Sequence, residues 1–263
     1  MSLLSHIDPL YALSGVLVGG LVGMTGVGGG ALMTPILILV FGINPATAVG
    51  TDLLYASITK TGGTFVHGYH RTIDWRVVGL LALGSIPATA LTILTLYELR
   101  IGSRTTQAVI TDVLAVALFF TAVSLILRKP LTRYYTSWAG ELDPKLVRNL
   151  TIVTGAVLGI LVSLSSVGAG AIGAMALVLL YPKMGAQRIV GSDIAHAVPL
   201  TLTAGMGHLA LGSIDTHILV SLLAGSIPGI VVMSFVAARA SDTAVRIALA
   251  FVLMLVCLKF WFF

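Results

Sequence analysis

Ten apolar segments follow one another along the 263 residues of the chain, with short polar stretches between most of them. They lie near 10–25, 31–41, 46–67, 73–97, 105–127, 147–165, 169–181, 187–210, 214–238 and 242–262. Hydrophobic residues make up 57% of the chain and charged residues 10%, whereas soluble domains carry about 25% charged residues. A water-soluble fold of this length has too little interior to bury so much apolar surface. Because the segments also lack the alternation of a membrane β-barrel, they predict an all-α membrane protein.

The second half of the chain repeats short motifs of the first half at a nearly constant offset. The glycine-rich stretches match at an offset of 140, and four further motifs match at 141. The matching pairs are Val27-Gly28-Gly29-Gly30 with Val167-Gly168-Ala169-Gly170, Val49-Gly50-Thr51-Asp52 with Val190-Gly191-Ser192-Asp193, His67 with His208, Ile73-Asp74 with Ile214-Asp215, and Gly84-Ser85-Ile86-Pro87 with Gly225-Ser226-Ile227-Pro228. This regularity predicts an internal duplication. We place a first membrane repeat at 1–127, a cytoplasmic interfacial linker at 128–146 and a second membrane repeat at 147–263.

The basic residues favour two repeats of opposite orientation. With five segments per repeat and a cytoplasmic linker, eleven basic residues fall inside and three outside, whereas four spans per repeat divide them eight to six. The inner residues are Arg71, Arg76, Arg128, Lys129, Arg133, Lys145, Arg148, Lys183, Arg188, Arg239 and Arg246, and the outer ones are Arg100, Arg104 and Lys259. Because cytoplasmic loops are rich in Lys and Arg, this split predicts inverted repeats with both termini outside. The same rule accounts for the net charge of +5, so we expect no nucleic-acid partner.

The glycine-rich stretches predict breaks inside two membrane helices. Each interior glycine costs a helix about 1 kcal/mol relative to alanine, and here several glycines fall together at Gly28, Gly29 and Gly30 and again at Gly168 and Gly170, around Ala169. The first two segments of each repeat are therefore expected to be short or broken. A surface for close helix packing is the alternative interpretation. A break exposes backbone N–H groups and the positive end of the next helix, which suits an anion.

These motifs resemble the sulfite exporter TauE/SafE family of membrane permeases over nearly the whole chain. The resemblance rests on Gly26-Val27-Gly28-Gly29-Gly30 followed by Thr34-Pro35, on Ala48-Val49-Gly50-Thr51 and on the Ile73-Asp74 turn. It implies transport of small anions, notably sulfite and organosulfonates, across the cytoplasmic (inner) membrane. After Gly50-Thr51 the family pattern commonly has Ser or Asn, whereas this chain has Asp52, and Asp193 repeats that difference.

Four ionisable residues, Asp52, Lys60, Asp193 and His196, lie within apolar segments. Each central Asp or Lys costs about 2.5–3.5 kcal/mol on membrane-insertion scales, so these groups must be paired, hydrated or neutralised. The depths of Lys60 and Asp193 in antiparallel helices agree, which predicts an ion pair or a shared ligand, while Asp52 is the better candidate for reversible protonation. A purely structural ion pair, or an Asp that caps a helix near the membrane interface, is the alternative. Candidate substrate-binding residues are Gly28, Gly29, Gly30, Thr51, Lys60, Gly168, Ala169, Gly170 and Ser192, and candidate proton-coupling residues are Asp52, Asp193 and His196.

The sequence as a whole predicts a secondary transporter for a small anion, with protons as the expected coupling partner and the lipid bilayer as its surroundings. An intramembrane hydrolase, using Ser165 or Ser166 with His196 or His208, is one alternative. A non-transporting membrane assembly protein is the other. The sequence has no Cys/His cluster at metal-ligand spacing and no ATP-binding loop, so we expect no cofactor, no metal and no catalytic residues. Substrate identity, direction of transport and oligomeric state stay open.

Overall fold

The computed structural model describes residues 7–25, 30–138, 143–237 and 242–262. Within these residues the secondary structure is helical throughout, without a strand. The ten described helices are α1 (Pro9–Thr25), α2 (Gly30–Leu39), α3 (Pro45–Tyr69), α4 (Trp75–Glu98), α5 (Arg104–Trp138), α6 (Pro144–Ser165), α7 (Ile172–Leu180), α8 (Ala186–Ala210), α9 (Thr216–Ala237) and α10 (Asp242–Phe262). They coincide with the ten predicted segments except that α5 continues to Trp138, so the first part of the predicted 128–146 linker is helical.

Several helices begin where the sequence supplies a capping side chain. Asn44 accepts a hydrogen bond from the backbone N–H of Ala46 at 3.0 Å and so caps α3. Asp74 and Asp215 cap α4 and α9 in the same manner, each accepting from two backbone N–H groups. Asp143 caps α6. These caps satisfy N–H groups that have no partner within the helix, and they set the positions of the short turns between helices.

Among the described residues, four helical stretches are long and apolar enough to cross a membrane: Trp75–Glu98, Arg104–Leu127, Pro144–Ser165 and Thr216–Met233. Pro9–Leu21 and Ile247–Trp261 are shorter apolar helices. Large apolar side chains such as Leu83 and Leu91 of α4 are each 65% exposed, and outward apolar surface of this kind suits contact with lipid. The chain is therefore a multi-pass helical membrane protein.

When α1–α5 are matched in order with α6–α10, each close helix pair has an equivalent pair. α1 packs on α9 and its counterpart α6 packs on α4, while α3 packs on α8 and α5 on α10. Small residues permit the approach in the first two pairs. A Cβ added to Gly15 would overlap the Leu222 carbonyl, and one added to Gly155 would overlap the Leu81 carbonyl. The two halves thus use equivalent glycines at equivalent contacts.

The central pair, α3 and α8, is antiparallel. Near the start of α3, the hydroxyl of Thr51 accepts a hydrogen bond of 3.0 Å from the backbone N–H of Asp215, which follows the end of α8. The equivalent bond runs from the N–H of Asp74, after the end of α3, to the hydroxyl of Ser192 near the start of α8, at 2.8 Å. Each helix therefore begins beside the end of the other, and the buried Asp, Lys and His side chains among the described residues lie on this pair.

Candidate functional site

Asp52 holds a carboxylate in the interior of the helix bundle. Its side chain is 0% exposed, and its Oδ2 accepts a hydrogen bond of 2.6 Å from the hydroxyl of Thr34 on α2. The other oxygen, Oδ1, has no hydrogen-bond partner among the residues that the structure describes. A buried oxygen without a partner is costly, so this carboxyl group is either protonated or ready to bind a further group.

Lys60 links α3 to the second glycine-rich stretch. Its side chain is 7% exposed, and its Nζ donates a hydrogen bond of 3.0 Å to the carbonyl oxygen of Ala169. The carboxylates of Asp193 and Asp52 both lie near enough to attract the ammonium. A buried cation thus faces a helix break and lies near carboxylates from both halves.

The second predicted helix break is confirmed. α6 ends at Ser165 and α7 begins at Ile172. Between them Ser166 has a φ of 58°, Gly168 a φ of +120° and Gly170 a φ of +133°. Side chains with a Cβ rarely adopt such values, which explains the two glycines. α7 starts without a side-chain cap, and in its first turn the N–H of Gly173 donates to the carbonyl of Gly168 at 3.1 Å.

The first glycine-rich stretch falls largely outside the described residues. α1 ends at Thr25 and α2 begins at Gly30, while Gly28 and Gly29 lie in the part that the structure does not describe. Their predicted role in binding substrate stays a prediction.

Asp193 lies against the second break. Its side chain is buried on α8, and its Oδ1 lies close to Gly173 of α7, so that a Cβ on Gly173 would overlap this oxygen. Glycine at this position therefore makes room for the carboxylate. Together with Lys60, this contact brings three of the predicted site residues, Lys60, Ala169 and Asp193, to the region where α6 gives way to α7.

His196, one helical turn after Asp193, reaches the neighbouring helix instead. It is fully buried, and its Nε2 shares a hydrogen bond of 2.9 Å with the hydroxyl of Ser85 on α4. Its Nδ1 has no partner among the described residues. Tyr55, the counterpart of His196 at an offset of 141, is also fully buried, and its hydroxyl likewise lacks a hydrogen bond to any described residue.

Sequence reasoning missed Thr34, Tyr55 and Ser85. The repeat alignment contains a signal for Tyr55, because Asp52 and Tyr55 have the same three-residue spacing as Asp193 and His196. Residues three apart share one face of a helix. Thr34 and Ser85 lie in motifs quoted above, but no motif indicates which buried residue each hydroxyl contacts, because that depends on the packing of a different helix.

Thr51 and Ser192 are engaged at the junctions between the halves. Their hydroxyls accept from the backbone N–H groups of Asp215 and Asp74, as described above, and Ser192 also donates to the carbonyl of Arg188 at 2.7 Å. These hydrogen bonds give both hydroxyls a structural role, which by itself explains Thr and Ser at these positions. Their predicted contact with substrate stays a prediction.

An intramembrane hydrolase, the alternative considered above, would need a Ser–His pair. The side chains of Ser165 and His208 bond elsewhere. Ser165 donates to the carbonyl of Leu161 at 2.7 Å, and His208 bonds to Ser213 and to the carbonyl of Ser163, both at 2.9 Å. Within the described part of the chain, no three His, Cys, Asp or Glu side chains come together in a way that could hold a metal ion. Buried ionisable side chains such as Lys60, Asp52 and Asp193 are instead typical of ion pathways in membrane proteins.

The structure is helical, its two halves make equivalent contacts, and it buries a charged cluster. These features together are those of a multi-pass membrane protein. The family model for sulfite exporter TauE/SafE matches residues 11–260. The chain therefore belongs to the sulfite exporter TauE/SafE family, and it is a membrane transporter rather than an enzyme.

Curated relatives are similar over much of their length. The chain is 42% identical over 248 residues to the probable membrane transporter protein YjnA of Bacillus subtilis, covering 94% of this chain and 97% of that protein. It is 23% identical over 223 residues to the probable membrane transporter protein YdhB of the same organism, covering 81% and 83%. A probable membrane transporter protein of Xylella fastidiosa is 37% identical over 71 residues, 27% of each chain. No solved structure matches the chain.

Proposed function

We propose that the chain is a secondary transporter that moves a small anion, such as sulfite or an organosulfonate, across the cytoplasmic membrane. The observation that carries this proposal is the hydrogen bond between the buried Lys60 ammonium and the Ala169 carbonyl in the helix break. A lysine inside a membrane protein is costly unless it has a function. A compact cation beside broken helical backbone provides both the charge and the N–H donors that an oxyanion needs.

Binding of the anion would use groups from both halves. An ammonium carries three donors, and Ala169 takes one of them. The first turn of α7 lacks a side-chain cap. It would contribute the positive end of the helix and the N–H groups other than that of Gly173, which donates to Gly168. An incoming oxyanion would then lie between α3 and α7, with Gly168 and Gly170 leaving the backbone accessible.

Asp52 and Asp193 suggest how protons couple to the anion. Two carboxylates near Lys60 oppose a third negative charge, and protonation of one of them removes part of this repulsion. Anion binding and proton binding therefore favour each other, by the reciprocity of linked equilibria. Asp52 is the favoured proton carrier because its Oδ1 has no hydrogen-bond partner among the described residues. The affinity for the anion should rise as the pH falls.

An inverted repeat would allow the site to open alternately to the two sides of the membrane. The antiparallel α3 and α8, the equivalent helix pairs and the eleven-to-three split of basic residues support this arrangement. Inverted repeats with broken helices at the binding site are a recurring plan of secondary transporters.

Cysteine accessibility tests this topology. In a Cys257→Ala background, Gln187→Cys should be shielded from a membrane-impermeant reagent in intact cells, while Gly102→Cys should react. Both positions are exposed in turns or at a helix start. Labelling of position 187 from outside would refute the proposed orientation.

A thermal-shift screen of sulfite, methanesulfonate, thiosulfate and acetate on the purified protein tests the substrate class. A ligand that binds only the native state stabilises it by about 2.7 kcal/mol at a concentration of 100 times its Kd. Lys60→Met should abolish the shift, and Lys259→Met, the same change at an exposed lysine, should keep it. If no anion raises the melting temperature, or if both variants respond equally, the proposal fails.

A further inference from the structure

A cavity of about 700 Å³ opens at the ends of four helices, apart from the buried cluster. The starts of α4, α6 and α8 and the end of α7 surround it. Its lining includes four basic residues, Arg76, Arg148, Lys183 and Arg188, and two acidic ones, Asp74 and Asp143. Cations therefore outnumber carboxylates in a concave space large enough for a small hydrated anion.

Two of the four cations form no ion pair with any residue that the structure describes. Arg188 pairs with Asp74 at 3.1 Å. Arg76 and Arg148 are exposed at the cavity, and no carboxylate in the described part of the chain neutralises them. A guanidinium group presents a planar fork of donors that matches an oxyanion.

The start of α8 adds backbone donors to this cavity. Its N-cap residue is Gly185, which lines the cavity and provides no side-chain hydrogen bond to the first turn. At the equivalent position of the other half, Asn44 caps α3 with its own side chain at 3.0 Å. The first turn of α8 therefore lacks a cap that its counterpart has, and an anion in the cavity can take that place.

The cations are absent from the equivalent positions of the opposite repeat. The counterparts of Arg76, Arg148, Lys183 and Arg188 at offsets of 140 or 141 are His217, Asp8, Gly42 and Thr47. Cytoplasmic location explains an excess of basic residues in loops. It does not explain why these residues converge with an uncapped helix start around one cavity.

We propose that this cavity is a second binding site, for a small tetrahedral oxyanion, held by Arg76, Arg148 and the first turn of α8. We further assign it as the vestibule from which the anion passes to the buried site, a role that rests on the proposed function, whereas the binding site itself does not. The phosphate of an anionic lipid headgroup presents the same chemistry as a free oxyanion.

One residue that lines the cavity is hydrogen-bonded to the helix that carries Asp193. Asp74, which lines the cavity, donates its backbone N–H to Ser192 at 2.8 Å, and Ser192 directly precedes Asp193. The Arg188–Asp74 ion pair lies at this same place. An anion in the cavity competes with Asp74 for Arg188, which would loosen the contact between the vestibule and the buried site.

Calorimetric titration with inorganic sulfate tests the site in nanodiscs of phosphatidylcholine. The protein carries Lys60→Met, so that the buried cation does not contribute. Adding Arg76→Gln and Arg148→Gln should weaken sulfate binding by about tenfold or more, because each removes a charge-assisted hydrogen bond. Adding Arg104→Gln and Lys259→Gln instead, two exposed cations outside the cavity, should leave the affinity unchanged.

A second set of nanodiscs containing phosphatidylglycerol distinguishes the sources of the anion. If the lipid headgroup occupies the cavity, sulfate binds more weakly in these discs, and only when Arg76 and Arg148 are present. If a free oxyanion is the occupant, the affinity for sulfate is the same in both kinds of disc. Equal sulfate affinities for the two double variants in both discs would overturn the proposal, whatever the outcome for sulfite at the buried site.

Discussion

Replacing Lys60 with methionine removes the buried ammonium while keeping most of the volume of the side chain. Lys60 is 7% exposed and donates to the Ala169 carbonyl at 3.0 Å. A hydrogen bond to a charged group contributes about 1.5–3 kcal/mol, and loss of one partner of a buried charge pair costs about 3–5 kcal/mol. We therefore expect Lys60→Met to lower the free energy of unfolding by about 3 kcal/mol.

A double-mutant cycle identifies the carboxylate with which Lys60 interacts. Asp193→Asn removes the same attraction from the other side, so the double variant should cost less than the sum of the single variants by about 1–3 kcal/mol. Lys60 bonds to Ala169 in the helix break against which Asp193 also lies, so the same cycle with Asp52→Asn should give a smaller coupling energy.

Unfolding by a denaturing detergent in mixed micelles provides the free energies for both cycles. Each variant is compared with the native chain in the same lipid and detergent mixture, so that only differences are interpreted. Additivity within about 0.5 kcal/mol for Lys60 and Asp193, or a larger coupling to Asp52 than to Asp193, would refute the reasoning from the buried charges.

Three further variants test the packing, the junctions and the proton site. Gly84→Ala should lower stability by about 1–3 kcal/mol because its Cβ would overlap the backbone of α6. Gly79→Ala in the same helix meets open space and should not lower it; equal thermal stabilities of the two variants would contradict the packing. Thr51→Val should cost about 1–3 kcal/mol in denaturation, since it leaves the N–H at the start of α9 without its acceptor; an unchanged stability would argue against that bond. Asp52→Asn should flatten the rise in anion flux at acidic pH and the exposed Asp112→Asn should not; an unchanged profile would remove Asp52 from proton coupling.

Composition and periodicity predict the helices well because long apolar runs mark the segments that lie in the lipid bilayer. The same signal fails at the end of α5, which continues to Trp138, since polar residues can extend a helix beyond the membrane. The break at 166–171 is predictable because glycine opposes helix locally.

Contacts between distant segments are harder to predict. The pairs Thr34–Asp52 and Ser85–His196 depend on how α2 packs on α3 and α4 on α8, which no local pattern encodes. The similar depths of Lys60 and Asp193 in antiparallel helices follow from the duplication, and the ion pair inferred from them stays a prediction. Gly185, the N-cap residue of α8, indicates a missing side-chain cap only when it is compared with its counterpart Asn44.

Uptake of labelled sulfite into proteoliposomes tests the central claim, that the buried cation of α3 serves anion transport. The native chain should give saturable uptake above empty liposomes, and Lys259→Met should match it. Lys60→Met should reduce uptake by about tenfold or more at equal amounts of folded protein, as expected for loss of a charge-assisted hydrogen bond. Uptake by Lys60→Met equal to that of Lys259→Met, or no uptake by the native chain above empty liposomes, would contradict the account.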